Sequence, residues 1–263
     1  MIPKTVHYCW FSGDPYPDLV KRCLRSWERM IPDYKLRLWD GNSFDFDSVP
    51  YVREAMAAKK YAVASDYVRL YALYTEGGIY LDSDVEIYKS FDNFLNISFF
   101  SGTEPYIIDN KIYYDIECAI IGAEKGHPFL KEALDYYNNI HYTPENHSTV
   151  CFVLARLLEQ YGYTSENKLY NLSNGVTIYP LDHIHDKYSF YDKSAIHWCQ
   201  GSWLDYPEKS RLYYFCARNG LMGFYHWLER IRGTRKIDKE SIKITSKIRK
   251  IRVLLAKLIC RDV

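Results

Sequence analysis

Tyr61 to Glu86 reads YAVASDYVRLYALYTEGGIYLDSDVE, and this stretch decides how the chain is organised. Ala62, Ser65, Asp66, Arg69, Leu70 and Leu73 recur at the three-and-four spacing of a helix face. Asp66 and Arg69, one turn apart, therefore project from the same side. Gly77 and Gly78 end the helix, as glycine does just past a C-cap. Ile79, Tyr80 and Leu81 form a short apolar strand whose carboxyl end carries Asp82, Ser83 and Asp84. In open α/β sheets that end is where ligands bind. Two carboxylates this close repel each other unless a proton or cation intervenes, so the pair points to a hard divalent metal. A polar turn after a strand would look the same in isolation. What separates the two readings is the preceding helix, which aims a second charged pair at the same region.

Working back toward the start, Thr5 to Trp10 (TVHYCW) is a buried strand, followed by the turn chemistry of Ser12-Gly13-Asp14-Pro15. Asp18 to Ile31 is a helix with Val20, Leu24, Trp27 and Ile31 inward, and Tyr34 to Trp39 alternates as a second strand. Strand, helix, strand in this order is a right-handed βαβ unit of the nucleotide-binding kind. Tyr51 to Lys60 is a short helix leading into the opening stretch, and Val85 to Tyr88 continues as strand beyond the aspartates. Further on, Tyr113 to Ala123 gives one or two strands, His127-Pro128 opens a helix through Tyr137, and Val150 to Tyr161 is amphipathic. Strand signals return at Val176 to Tyr179 and Ala195 to Trp198.

The 48% apolar and 25% charged content is that of a globular domain with a substantial core. Seven scattered cysteines without C-x-x-C spacing argue for a reducing compartment rather than a disulfide scaffold. No leader pattern precedes Met1-Ile2-Pro3-Lys4, and no apolar run approaches the roughly 20 residues that span a bilayer, so a cytoplasmic location is expected. From Ile231 to Val263 there are eleven Lys and Arg against three Asp and Glu, a local +8, which leaves −7 for the rest of a chain whose total is +1. Ile237, Ile244, Ile248, Ile251, Leu255 and Ile259 share one face of that tail, with basic residues around them. Such a helix can lie on an anionic membrane surface or pack on the body. Nothing else in the chain has the character of a nucleic-acid module.

The pattern A-x-x-S-D-x-x-R-x-x-x-L-x-x-x-G-G-x-Y-x-D-x-D, Ala62 to Asp84, resembles the sugar-nucleotide-binding region of glycosyltransferase family 32. It is also similar to the catalytic domains of the clostridial glucosylating toxins. IPKTVHYCWFSG (Ile2 to Gly13) resembles their first strand, and AIHWCQGSW (Ala195 to Trp203) resembles their closing H-x-x-x-G-S-W segment. The resemblance, which covers most of residues 1–203, implies an α/β fold of the GT-A type, a single mixed, mostly parallel sheet flanked by helices; with the charge and spacing of the tail, the expected division is a catalytic domain over 1–230 and a basic amphipathic helical tail over 231–263. It implies transfer of a hexose or N-acetylhexosamine from a nucleoside diphosphate sugar, a UDP-sugar above others, with retention. The acceptor would be a glycan, lipid-linked in capsule or O-antigen assembly at the inner face of the membrane.

Site roles follow from the same resemblance. Asp84 coordinates Mn²⁺ or Mg²⁺, and Asp82 contacts the donor or reaches the metal through water. His197 closes the coordination shell, where an imidazole favours manganese; its alternative is a hydrogen-bonded core histidine. Ser202 and Trp203 donate to the phosphates, and Ser83 joins the donor-binding set. Trp10 stacks on uracil or is a core aromatic. Asp66 and Arg69 hold sugar hydroxyls and the diphosphate, and Tyr80 faces the ribose or the core. Glu117, the one charge in the apolar run IECAIIG, is a candidate for stabilising oxocarbenium character or orienting the acceptor. Two competing readings are a D-x-D phosphatase with Asp82 as nucleophile and a non-catalytic sugar-nucleotide or glycan-binding protein. Glu86, two positions after the second aspartate, and the late strand position count against the first. The intact set of Asp82, Asp84, Arg69 and His197 counts against the second.

Overall fold

The first strand, β1 (Thr5–Cys9), has parallel partners on both sides, and that placement creates the cleft on which the site depends. The computed structural model describes residues 1–108, 111–144, 148–181, 183–184, 194–199 and 210–219, with positions 221, 225 and 228. From β1 the chain runs through α1 (Asp18–Met30) to β2 (Lys35–Trp39) on one side. It then passes through α2 (Pro50–Ala57) and α3 (Tyr61–Glu76) to β3 (Gly78–Leu81) on the other. The strand order therefore reverses at β1, and the crevice beyond the carboxyl ends of β1 and β3 is a topological switch point.

The remaining elements are β4 (Val85–Ile87), β5 (Phe99–Ile108), β6 (Lys111–Ala123), α4 (Pro128–Asn138), α5 (Val150–Glu159), β7 (Tyr170–Asn171), β8 (Val176–Tyr179), β9 (Ala195–His197) and α6 (Arg211–Arg218). Seven strands form one mixed sheet in the order β2-β1-β3-β6-β5-β8-β7. Three of its pairings are parallel (β1–β2, β1–β3, β5–β8) and three antiparallel. This is the helix-flanked α/β architecture with one mixed main sheet that the sequence implies, but its pairings divide equally and do not run mostly parallel, because β6 returns antiparallel between β3 and β5. The continuation past the aspartates differs from expectation: β4 leaves the main sheet and pairs with β9 in a separate two-stranded antiparallel sheet.

Alternation along β3 assigns its two faces. Ile79 and Leu81 face α1 and β4, packed with Val6, Trp27, Val85 and Ile87, while Tyr80 faces the helices α2 to α5. Full burial of Ile79 and Leu81 contributes about 1.5–3 kcal/mol each, so a one-residue slip that exchanged the faces is strongly disfavoured. Helix α3 is buried over most of its surface because the sheet lies beneath it and α2 and α4 flank it. Its end needs both glycines. Gly77 (φ +69°) caps Leu73, and Gly78 (φ +119°) runs so close to β1 that an added Cβ would sit 2.5 Å from the Thr5 carbonyl oxygen.

β6 carries an irregularity that the sequence does not announce. Its register with β5 jumps from Ser101↔Ile121 to Gly102↔Glu117, so Cys118, Ala119 and Ile120 have no counterparts on β5. The buried Ser101 hydroxyl fills the gap, donating to the Glu117 carbonyl at 2.6 Å and lying 3.1 Å from that of Ile120. Bulges of this kind bend a strand and re-aim its side chains.

Candidate active site

Two backbone contacts fix the aspartates. The Asp82 N–H donates to the Ala119 carbonyl in the β6 bulge at 2.9 Å, and the Val85 N–H donates to the Asp82 carbonyl at 2.9 Å, closing a tight turn. The turn carries the chain from β3 into β4, whose Val85 lies opposite His197 of β9. The Trp198 N–H donates to the Asp84 carbonyl at 3.1 Å, so His197 is locked beside the aspartates by strand register. Its Nε2 is 3.5 Å from Asp84 Oδ1 and 3.9 Å from Asp82 Oδ2. One ligand atom from each of the three side chains lies within 4.8 Å of the others. Two carboxylate oxygens and one imidazole nitrogen, partly accessible and converging on one point, fit a divalent cation of the Mn²⁺ or Mg²⁺ type.

The two aspartates are held differently. Asp82 Oδ1 accepts from the Tyr80 hydroxyl at 3.0 Å and lies 3.4 Å from Arg69 Nη1, which leaves Oδ2 toward His197. Tyr80 is 1% exposed, and the Arg69 guanidinium lies over its ring at 4.7 Å. Of the two positions open to Tyr80, the ribose and the core, the structure shows the core: strand alternation turns the ring inward, where its hydroxyl orients Asp82. Ser83 is half-buried in the turn between the aspartates.

Arg69 organises the helix side of the site. It is 5% exposed and donates to the Ser65 carbonyl (3.2 Å), the Ser65 hydroxyl (3.0 Å) and the Cys118 carbonyl (2.7 Å). It also pairs with Asp66 at 3.1 Å. Burial works against its charge, but Asp82, Tyr80 and Asp66 outweigh that and hold the guanidinium protonated. Burial pushes the Asp66 carboxyl up to about 7; Arg69 opposes the rise and Asp82 adds to it, because one guanidinium serves two carboxylates. The Val150 N–H at the start of α5 points at Asp66 Oδ2 from 3.4 Å, a helix-terminus contact the sequence did not reveal.

Glu117 does not stand where a sugar could meet it. It is 1% exposed, its Oε1 accepts the Ala119 N–H at 2.9 Å, and that same oxygen is 3.2 Å from His197 Nδ1. The expectation of a group facing the sugar or the acceptor is corrected for a physical reason: the β6 bulge aims the side chain into the protein, behind the imidazole. Burial alone would lower the His197 pKa, but Cys199, Glu117 and Asp84 raise it well above the ordinary value. Cys199, whose Sγ is 3.5 Å from Nδ1, is a neighbour that the sequence motif did not single out.

Trp10 follows β1 directly and lines a cleft of about 390 Å³ with Asp14, Tyr16, Leu38 and Asp40, beyond the carboxyl ends of β1 and β2. Its indole N–H donates to the Asp14 carbonyl at 2.8 Å and its ring meets Tyr16 edge-on at 5.0 Å, which leaves it half-buried at the cleft wall rather than in the core. Ser202, Trp203 and the tail from 231 to 263 lie outside the described residues. Among the described residues no helix is long and apolar enough to cross a membrane.

Residues 17–100 match the family described as "Glycosyltransferase sugar-binding region containing DXD motif". That stretch, which holds Asp66, Arg69, Asp82 and Asp84, is similar to the sugar-binding region of this glycosyltransferase family, in line with the resemblance. Among individual proteins, the chain is 30% identical over 147 residues to inositol phosphoceramide mannosyltransferase 3 of Schizosaccharomyces pombe, covering 51% of this chain and 36% of that protein. The chain thus spans little more than a third of that relative's length. It is 24% identical over 220 residues to the uncharacterized glycosyltransferase L373 of Acanthamoeba polyphaga mimivirus, covering 80% of this chain and 83% of that one. A solved structure, the PaToxG glycosyltransferase, is similar at 19% identity and a TM-score of 0.44, covering 60% of this chain and 69% of that one.

Proposed function

We propose that this protein is a metal-dependent glycosyltransferase that moves a hexose or N-acetylhexosamine from a nucleoside diphosphate sugar to a glycan acceptor with retention. The observation that carries the reading is the convergence of Asp82, Asp84 and His197 at the switch point beside β1. Departure of a nucleoside diphosphate builds negative charge on its β-phosphate, and a bound divalent ion would supply the Lewis acid that neutralises it. Asp84 and His197 would hold that ion, with Asp82 Oδ2 as third partner or acting through water. Arg69 fixes Asp82 and adds a permanent positive charge near the diphosphate, while Asp66 accepts from sugar hydroxyls. Trp10 offers a ring face for the base, Ser83 a hydroxyl at the turn, and Ser202 and Trp203 donors for the phosphates. Glu117 acts through His197 and not on the sugar.

A UDP-sugar is the favoured donor. The similarity to a mannosyltransferase named for inositol phosphoceramide supports including mannose among the hexoses and a lipid-borne acceptor among the acceptors. Residues 1–230 would be the catalytic domain. The +8 tail at 231–263 supports peripheral attachment to an anionic membrane at the cytoplasmic face, where lipid-linked glycans of capsule or O-antigen assembly would be extended. The test is hydrolysis of UDP-glucose, UDP-galactose, UDP-N-acetylhexosamines and GDP-mannose with Mn²⁺ or EDTA. One donor turned over only with metal, and not by Asp84→Ala, is the expected result. No turnover and no metal-dependent nucleotide binding with any of them would sink the transferase reading.

A further inference from the structure

We infer that Glu117 is a positioning residue whose negative charge holds His197 with its proton on Nδ1, in the orientation able to bind a cation through Nε2. The inference rests on the metal site proposed above and concerns a residue outside the D-x-D and its closing motif.

The imidazole is flanked end to end. Nε2 faces Asp84 and Asp82 at 3.5 and 3.9 Å, and Nδ1 faces Glu117 Oε1 at 3.2 Å. A carboxylate has only lone pairs to offer, so both ring nitrogens face acceptors, and the Nε2 proton, between the two aspartates, is the one a bound cation would replace. Glu117 then keeps the remaining proton on Nδ1, which leaves the Nε2 lone pair toward the cation. A carboxylate behind a ligating histidine fixes ring and tautomer and makes the ligand more basic; its loss typically weakens metal binding about 10–100-fold.

The chain also builds Glu117 into place. A carboxylate buried to 1% exposure is costly unless it is hydrogen-bonded or paired. Here three β6 residues have no counterparts on β5, the Ser101 hydroxyl holds the Glu117 carbonyl at 2.6 Å, and the Ala119 N–H freed from β5 donates to Oε1 at 2.9 Å. The bulge that aims the Cys118 carbonyl at Arg69 therefore also aims Glu117 at His197. The other group near Nδ1, Cys199 Sγ at 3.5 Å, is a weaker acceptor at longer range.

Glu117→Gln separates this role from a purely structural one. The amide oxygen keeps the bond from Ala119 and nearly the same shape, and only the charge is lost. Binding of Mn²⁺ alone, read from the electron paramagnetic resonance of the unbound ion, is compared among wild type, Glu117→Gln, Cys199→Ala and Asp84→Ala, with urea midpoints measured alongside. We expect Glu117→Gln to bind Mn²⁺ about 10–100-fold more weakly at an unchanged urea midpoint, Cys199→Ala to bind as wild type does, and Asp84→Ala to lose binding. Glu117→Gln within twofold of wild type overturns the inference while leaving the metal site standing. A loss in Cys199→Ala alone assigns the role to the thiol and likewise overturns it. Wild type that binds no more Mn²⁺ than Asp84→Ala removes the metal site itself. If Glu117→Gln fails to fold, ¹⁵N-histidine spectra of Mg²⁺-saturated wild type decide: a proton on His197 Nδ1 supports the inference, and a proton on Nε2 overturns it.

Discussion

The hydroxyl of Ser101 donates to the carbonyl of Glu117 at 2.6 Å across β5 and β6, at the point where their register jumps by three residues. One buried hydroxyl thus holds open the bulge from which Ala119 supports Asp82, Cys118 meets Arg69, and Glu117 backs His197. Ser101→Ala leaves two buried carbonyls in the gap without this donor. The expected loss is about 1–3 kcal/mol of unfolding free energy in urea, together with weaker Mn²⁺ binding. A variant with unchanged midpoint and affinity would show that the bulge holds itself.

Arg69→Lys tests whether fork geometry or mere charge organises the helix side. The guanidinium reaches Ser65, Asp66, Asp82 and the Cys118 carbonyl at once, which a single ammonium on a flexible stem cannot do. Loss of at least one hydrogen bond to a charged group should cost about 1.5–3 kcal/mol and slow nucleotide release from the donor. Wild-type stability and rate in the lysine variant would show that charge alone suffices.

His7 gives the fold a pH dependence remote from the site. Its Nδ1 accepts from Trp39 Nε1 at 3.0 Å and its Nε2 donates to the Gly77 carbonyl at 2.7 Å, so both nitrogens are committed to the neutral ring. Burial lowers its pKa, with the Gly77 carbonyl opposing. A lowered histidine means that the unfolded chain binds the extra proton first. This group's contribution is therefore complete above the unfolded pKa of about 6.5 and is lost as pH falls below it. Urea unfolding from pH 7.5 to 5.5 should show a smaller stability loss in His7→Gln than in wild type. Equal losses would remove His7 as the cause.

Much of this was legible in the sequence because it is local. The helix over Tyr61–Glu76, its glycine stop and the strand bearing the aspartates each follow from spacing within a few residues. The first two strands and the helix between them read equally well. What stayed hidden depends on register between distant strands. β5 has Ser101 and Thr103 facing inward and contains Gly102 and Pro105, so it lacks the apolar run by which strands are found. β4 reads as a continuation of β3, but the turn at Asp82–Val85 sends it to β9, and that exchange brings His197 to the aspartates. Glu117 stood out as a charge in an apolar strand, yet its direction is set by a bulge and its partner lies eighty positions away. Tyr80 adjoins the aspartates, which leaves both the ribose and the core open in the sequence; a period of two turns it inward.

If Asp82, Asp84 and His197 hold a divalent ion that in turn holds a nucleoside diphosphate, nucleotide binding must depend on that ion. Calorimetric titration of UDP and GDP into the full chain, first with Mn²⁺ and then with EDTA, reads this dependence. The expected result is a saturable isotherm for one of the two nucleotides with Mn²⁺, none with EDTA, and none for Asp84→Ala under either condition. Nucleotide binding of equal strength with EDTA, or undiminished in Asp84→Ala, would rule out such an ion as the link between protein and diphosphate.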